Sequence, residues 1–282
     1  MEQVLFTGDI PGFSIDQVVR ETEFTMPIKH MHREYEIYFL LEGACYYFIE
    51  SETFYIQGGS LVFIGKEKIH KTSAAGRNYQ NRILIGIQEE WINPFLKANG
   101  FFSLEHFFQN AKVVKLDEEG KRYIEELLAD IQREVRRKKI GYESMVKMRM
   151  AELFLYVLRS RQKKDFIQAG GQVQSVKFQK VQEVAKYIQL NYPKDLSLQE
   201  VADRFFVSKC YLSRIFKDVT GFTVNEYITI QRVKEGKRLL EQSTYNITEI
   251  SERIGYGSIT YFEKIFKKYV GNTPLKYRKN LG

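Results

Sequence analysis

The chain has 282 residues, 44% apolar, 14% aromatic and 28% charged, which suits a folded protein of two ordinary domains and excludes a disordered tail. No apolar run approaches the ~20 residues of a membrane helix. The two cysteines, Cys45 and Cys210, are too few for a disulfide framework or a cysteine zinc site, so a cytoplasmic protein with no membrane partner is expected. The net charge of +8 is unevenly placed: residues 1–176 hold 24 basic and 24 acidic side chains, whereas residues 177–282 hold 19 and 11, which directs the second part toward a polyanion.

The opening Met1-Glu2-Gln3-Val4-Leu5-Phe6 lacks a basic region ahead of an apolar stretch, and no secretory leader is expected. Residues 15–87 then read as short strands at Glu36–Leu41, Ala44–Glu50, Thr53–Gln57, Ser60–Ile64 and Ile83–Ile87. They are dense in Val, Ile, Tyr and Phe and punctuated by Gly43, Gly58-Gly59 and Gly65. Such spacing suits a small antiparallel barrel. From Asp117 the period becomes helical, with Tyr123, Leu127, Leu128, Ile131 and Val135 on one face of a charged helix over 117–138. A second helix follows at 143–161, after a break at Gly141. These helices carry more apolar surface than a small barrel would cover, which predicts a homodimer. Residues 163–176, polar and with Gly170-Gly171, are the expected linker between a domain at 1–162 and another at 177–282.

The last part is helical and contains a repeat. Shifting 208–227 by fifty onto 258–277 matches eight of twenty positions, among them Ser208/Ser258, Phe216/Phe266, Lys217/Lys267 and Gly221/Gly271. Upstream, Ser197 with Glu200 and Asn246 with Glu249 are both capping-box pairs. Each copy therefore predicts a helix-turn-helix: Leu198–Arg204 then Lys209–Asp218, and Thr248–Arg253 then Ile259–Lys268. With Leu212, Ile215 and Phe216 inward, Ser208, Lys209, Cys210, Ser213 and Arg214 form an outer face at the helix N-terminal half, the part that meets base edges in a major groove. With Phe262, Ile265 and Phe266 inward, the second such face is Ser258, Ile259, Thr260, Glu263 and Lys264. Lys217 and Lys267 stand at the helix ends, placed for phosphates.

These residues also resemble a known family. Ser208-Lys-Cys-Tyr-Leu-Ser-Arg-Ile-Phe-Lys217 with Gly221 is similar to the first recognition helix of AraC-type (AraC/XylS) transcription regulators. Ile254-Gly-Tyr256, Tyr261-Phe262, Phe266-Lys267, Gly271, Thr273-Pro274 and Tyr277-Arg278 resemble that family's signature. The resemblance implies two helix-turn-helix units joined by a long helix at about Thr223–Glu241, binding double-stranded DNA in successive major grooves, with RNA polymerase a further candidate partner. Val224 stands where the second copy has Pro274.

Upstream, His30-Met-His32-Arg-Glu-Tyr-Glu36 with Gly43 resembles the first cupin motif, and Gly59 to His70 the second. Phe24, Gly65, Glu67 and Ala74 depart from those motifs. Residues of like parity share a strand face, so His30, His32, Glu36 and Tyr38 point into one barrel, where His70 joins them as an effector site. His30, His32, Glu36 and His70 are also a donor set suited to a divalent transition metal, though regulators of this type often keep such histidines without one. The fold expected is α+β and multidomain: an N-terminal cupin-like β-barrel with a two-helix dimerisation segment, and a C-terminal all-α double helix-turn-helix domain. The function expected is a non-enzymatic regulator responding to a small-molecule effector such as a sugar. The alternative is a metal-dependent cupin enzyme with a DNA-binding appendage.

Overall fold

The computed structural model describes residues 2–22, 34–76, 79–110, 112–162 and 175–280. The chain divides into two compact units, Met1–Gln174 and Ser175–Gly282. His30, His32 and Phe24, with residues 163–174 of the expected linker, lie outside the described residues.

The first unit begins with a hairpin of β1 (Glu2–Ile10) and β2 (Phe13–Arg20). There follow β3 (Tyr35–Ile49), β4 (Glu52–Gln57), β5 (Ser60–Ile64), β6 (His70–Ala74) and β7 (Gln80–Ile87). Helices α1 (Glu89–Ala98) and α2 (Leu104–Asn110), the short β8 (Val113–Lys115), and helices α3 (Glu118–Arg137) and α4 (Tyr142–Gln162) complete it. All strand pairs are antiparallel, in the order β1-β2-β7-β3-β5-β8, with β4 and β6 also pairing with β3.

Strand β3 is continuous where the sequence suggests two strands split at Gly43. Its first part pairs with β5 and β7 and its second with β4 and β6, with a register slip between Leu40 and Glu42. Gly43 thus turns the strand from one sheet into the other instead of ending it. It has φ +97, and a Cβ there would lie 2.1 Å from the Tyr79 carbonyl oxygen, so only glycine fits the corner.

Both faces of β3 are buried. Ile37 and Phe39 pack with Phe63, Ile83 and Ile85 beneath the helices, against residues such as Leu128, Ile131 and Phe154. On the other face Tyr38, Leu40 and Val62 from one sheet meet Cys45, Tyr47 and Ile56 from the other, forming a second core inside the barrel-like fold. Helix α3 starts at Asp117, which accepts the Gly120 N–H at 2.7 Å. Leu127, Leu128, Ile131 and Val135 of its apolar stripe are buried within its own unit, Leu127 4% and Leu128 0% exposed, which corrects the assignment of those leucines to a dimer surface, while Tyr123 stays 37% exposed. Among the described residues no helix is long and apolar enough to cross a membrane.

The second unit is all helical: α5 (Val176–Asn191), α6 (Leu198–Arg204), α7 (Lys209–Thr220), α8 (Val224–Gln242), α9 (Ile247–Arg253), α10 (Ile259–Val270) and α11 (Pro274–Lys279). The sequence repeat is a repeat of structure. Ser197 with Glu200 and Asn246 with Glu249 form reciprocal capping boxes that open α6 and α9. Ser208 and Ser258 accept the N–H groups of Tyr211 and Tyr261 to open α7 and α10, and Gly221 and Gly271 close them. Phe216 lies edge-on to Tyr227 at 5.3 Å and Phe266 to Tyr277 at 5.7 Å, the same pair in each copy. Thr223 and Thr273 cap α8 and α11, and the missing proline at Val224 is offset by a further capping box, Thr223 with Glu226.

Candidate functional site

The exposed face of α7 follows from its helical period. Leu212, Ile215, Phe216 and Val219 are buried. Lys209, Cys210, Arg214 and Lys217 are exposed, and Ser213 is half-buried. Arg214 stays over the Tyr211 ring, 6.0 Å from its centroid, which directs the guanidinium along the helix surface. Ser208 is exposed although its Oγ accepts from Tyr211 at 3.2 Å. On α10, Ser258, Ile259, Thr260, Lys264 and Lys267 are exposed and Glu263 is half-buried, over a buried Phe262 and Phe266. Ile265, expected in that core, is half-buried and packs at its edge.

Each face carries its basic side chains outward on a helix of 12 residues, an arrangement matched to the major groove and its phosphates. Two exposed members of the second face, Tyr261 (55% exposed) and Lys268, escape the sequence reading. The identity of Tyr211 and Tyr261 across the repeat suggests a shared core role. Only the spacing of Tyr261 to Lys264 and Lys268, three and seven residues on, signals a common outer face.

The second candidate site lies inside the first unit. Glu36 and Tyr38 point into its interior, as parity predicts, and are 5% and 3% exposed. The register slip after Leu40 resets the alternation, so the odd-numbered Cys45, Tyr47 and Ile49 face the same interior. Tyr47 Oη donates to Glu36 Oε1 at 3.1 Å. His70, paired with Ile49 across β3 and β6, brings Nε2 to 3.7 Å from Glu36 Oε2, while its Nδ1 sits 2.9 Å from the Lys68 carbonyl oxygen. The Tyr47 ring lies edge-on to Tyr38 at 5.2 Å and stacks with His70 at 6.3 Å. Tyr38 Oη is 4.0 Å from Cys45 Sγ.

Burial pushes the Tyr38 and Tyr47 phenols well above their usual range and the Cys45 thiol up to about 12. At the far end of the same face, Arg20, Gln80 and Arg82 are buried. Arg20 pairs with Glu2 at 2.7 Å, and Arg82 pairs with Asp16. The Gln80 Nε2 donates to the Ala44 carbonyl at 3.2 Å, but Gln80 Oε1 and the buried Ser60 Oγ meet no hydrogen-bond partner among the described residues.

The structure therefore brings together Glu36, Tyr38 and His70 of the expected effector set, while His30 and His32 lie outside the described residues. Arg20, Tyr47, Gln80 and Arg82 extend that set. For Gln80 and Arg82 the only sequence signal is their parity, opposite to that of Ile83, Ile85 and Ile87; Tyr47 follows from the register slip, which the sequence does not mark. Among the described residues no three His, Cys, Asp or Glu side chains gather as a metal group; Glu36 and His70 supply two donors.

Comparison with known proteins assigns a family to each unit. A helix-turn-helix domain family matches residues 201–280, and an AraC-like ligand binding domain family matches residues 17–154. The chain is 25% identical over 291 residues to the uncharacterized HTH-type transcriptional regulator YisR of Bacillus subtilis (strain 168), covering 99% of this chain and 98% of that one. It is 33% identical over 102 residues to the probable transcription factor PqrA of Proteus vulgaris, 36% of this chain and 84% of PqrA. It is 36% identical over 101 residues to the Msm operon regulatory protein of Streptococcus mutans, and there spans only 36% of that protein's length.

Proposed function

The chain belongs to the AraC family of DNA-binding transcription regulators, and from this premise we propose that it is a cytoplasmic one-component sensor whose barrel interior takes a small, polar, hydroxyl-rich effector. The observation that carries this is the polar column inside an otherwise apolar core: Glu36, Tyr47 and His70 at one end, and Arg20, Gln80 and Arg82 at the other. Buried polar groups are costly unless hydrogen-bonded. A ligand rich in hydroxyls supplies donors to Gln80 Oε1 and Ser60 Oγ, and the Tyr38 and Tyr47 rings offer stacking surfaces. The two arginines already face carboxylates, so a neutral ligand such as a sugar fits better than an anion.

Binding would shift the equilibrium between arrangements of the DNA-binding units, by no more than the difference in affinity for the two states. Relatives named as regulators favour this over the cupin-enzyme alternative. The metal version of the site stands on His30 and His32 joining Glu36 and His70; elemental analysis finding about one transition metal per chain would support it.

The test uses the full chain with a thermal-shift screen of sugars and related metabolites. A specific ligand raises the melting temperature by mass action. His70→Ala should abolish that rise and leave affinity for a selected DNA duplex within about threefold of wild type, a change below one tenfold step in binding constant. An undiminished ligand response in His70→Ala would move the effector out of this interior.

Dimerisation belongs to the same proposal, but through α4. An open groove of about 440 Å³ between α1, α3 and α4 is lined by Phe95, Phe101, Tyr123, Met148, Leu155 and Tyr156, and the Met148 side chain is exposed.

A further inference from the structure

Helix α8 connects the two helix-turn-helix units, and in its middle the half-buried Arg232 touches both. Its Nε donates to the Tyr192 carbonyl oxygen at 2.8 Å and its Nη2 to the Lys194 carbonyl oxygen at 2.8 Å. Those carbonyls belong to the segment between α5 and α6, which leads into the first unit. The guanidinium also lies over the Tyr256 ring, 5.3 Å from its centroid, and Tyr256 is 6% exposed in the turn that leads into α10. That turn closes on the same segment: a Cβ at Gly255, where φ is +86, would lie 2.4 Å from the Pro193 carbonyl oxygen. Three pieces of chain thus meet at one planar cation. Two carbonyls are held by its edge and an aromatic ring by its face. A lysine, with a single compact charge, cannot make all three contacts.

We propose that Arg232 is a positioning residue that sets the distance and angle between α7 and α10, and with them the base-pair spacing the protein accepts between its two contacted DNA segments. This rests on both helix-turn-helix units engaging DNA. Helix α8 packs into both units, Tyr227 against Phe216 of the first and Val233 and Leu240 in the core of the second. The Arg232 contacts add a tie that joins the entry to the first unit and the turn of the second directly at one point of that helix, and so limit their tilt about it. The groove contacts need this precision. One base pair of spacer moves a segment by about 3.4 Å and rotates it by about 35°, more than hydrogen bonds to base edges tolerate.

The experiment selects a tight-binding duplex from a random DNA library with the full-length protein. That duplex is then rebuilt with the spacer between its two protected segments changed by one, two and five base pairs. The readout is the ratio of affinities for altered and original spacing, which a general loss of folded protein does not change. Wild type should lose on the order of tenfold at one base pair and far more at five, where the two segments face opposite sides of the duplex. Arg232→Lys and Arg232→Met should flatten the profile to roughly threefold or less per base pair, a loss of specificity without a matching loss of helix content by circular dichroism. Gly255→Ala, which separates the same surfaces from the other side, should give the same flattened profile. A steep profile kept by all three variants would overturn the role given to Arg232. A flat profile in wild type would instead overturn the premise that both units bind.

Discussion

Phe206 offers a test of how the first helix-turn-helix holds its turn. It follows α6, has φ +55, and its side chain is 96% exposed. The equivalent position in the second unit is Gly255, with φ +86. A left-handed conformation costs a residue with a Cβ roughly 1–2 kcal/mol, and glycine's extra freedom in the unfolded chain returns about 0.5–1 kcal/mol of that. An exposed ring has almost no packing to lose, so Phe206→Gly should stabilise the DNA-binding unit by about 0.5–1 kcal/mol. For a unit of this size that is a rise of roughly 2–6 °C in melting temperature. Scanning calorimetry of the full chain, following the transition of the DNA-binding unit, measures it. Phe206→Ala keeps the strained backbone and should change the temperature by less than about 2 °C. A lower melting temperature for the glycine variant would show that the side chain holds contacts within the folded protein, and the strain accounting would fail.

Arg214→Ala should relax sequence discrimination at one or two base pairs at a cost of about 1–3 kcal/mol, whereas Lys217→Ala should weaken all DNA alike and lower the salt slope by roughly one; competition binding at several salt concentrations separates them. Equal loss on selected and random DNA for Arg214→Ala would remove it from base readout. Burial disfavours the Cys45 thiolate and pushes its pKa up to about 12, so at pH 8 only about one thiol in ten thousand is ionised there. A disulfide reagent should therefore modify Cys210 quickly in native protein and Cys45 only in denaturant; two fast thiols would mean that the interior opens readily. Met148→Glu places a charge in the α4 groove at a position already 47% exposed, so light scattering should find monomers where wild type dimerises, with an unchanged circular-dichroism spectrum. Wild type that is monomeric at micromolar concentration would refute the interface.

What could be read from sequence divides along physical lines. The helix-turn-helix units rest on local rules, caps three residues from their partners and a period of 3.6, and α6 falls at the expected Leu198–Arg204. The strands were harder. Parity placed Glu36 and Tyr38 correctly, but it holds only while the register does, and the slip between Leu40 and Glu42 carries Cys45 and Tyr47 to the face that uninterrupted alternation denies them. Strands β6 and β8 and helices α1 and α2 gain their support from partners distant in the chain, and lack a comparable local pattern. The stripe on α3 was legible as apolar, but periodicity does not say what covers it. Here the cover is α4 and the strands of the same unit.

Arg232 shows the same limit in the DNA-binding unit. In sequence it is one more charge on an amphipathic helix, and nothing local marks it. Its carbonyl partners lie 38 and 40 residues before it and its aromatic partner 24 after it. The repeat reveals two helix-turn-helix units, because each is assembled from neighbours. Their mutual placement is decided by contacts that no period records. On the proposed reading, selectivity for base sequence would lie in the outer faces of α7 and α10, while selectivity for spacing would depend on Arg232 of α8, outside both faces. The two properties should therefore be separable by substitution: Arg214 changes which bases are accepted, and Arg232 how far apart they stand.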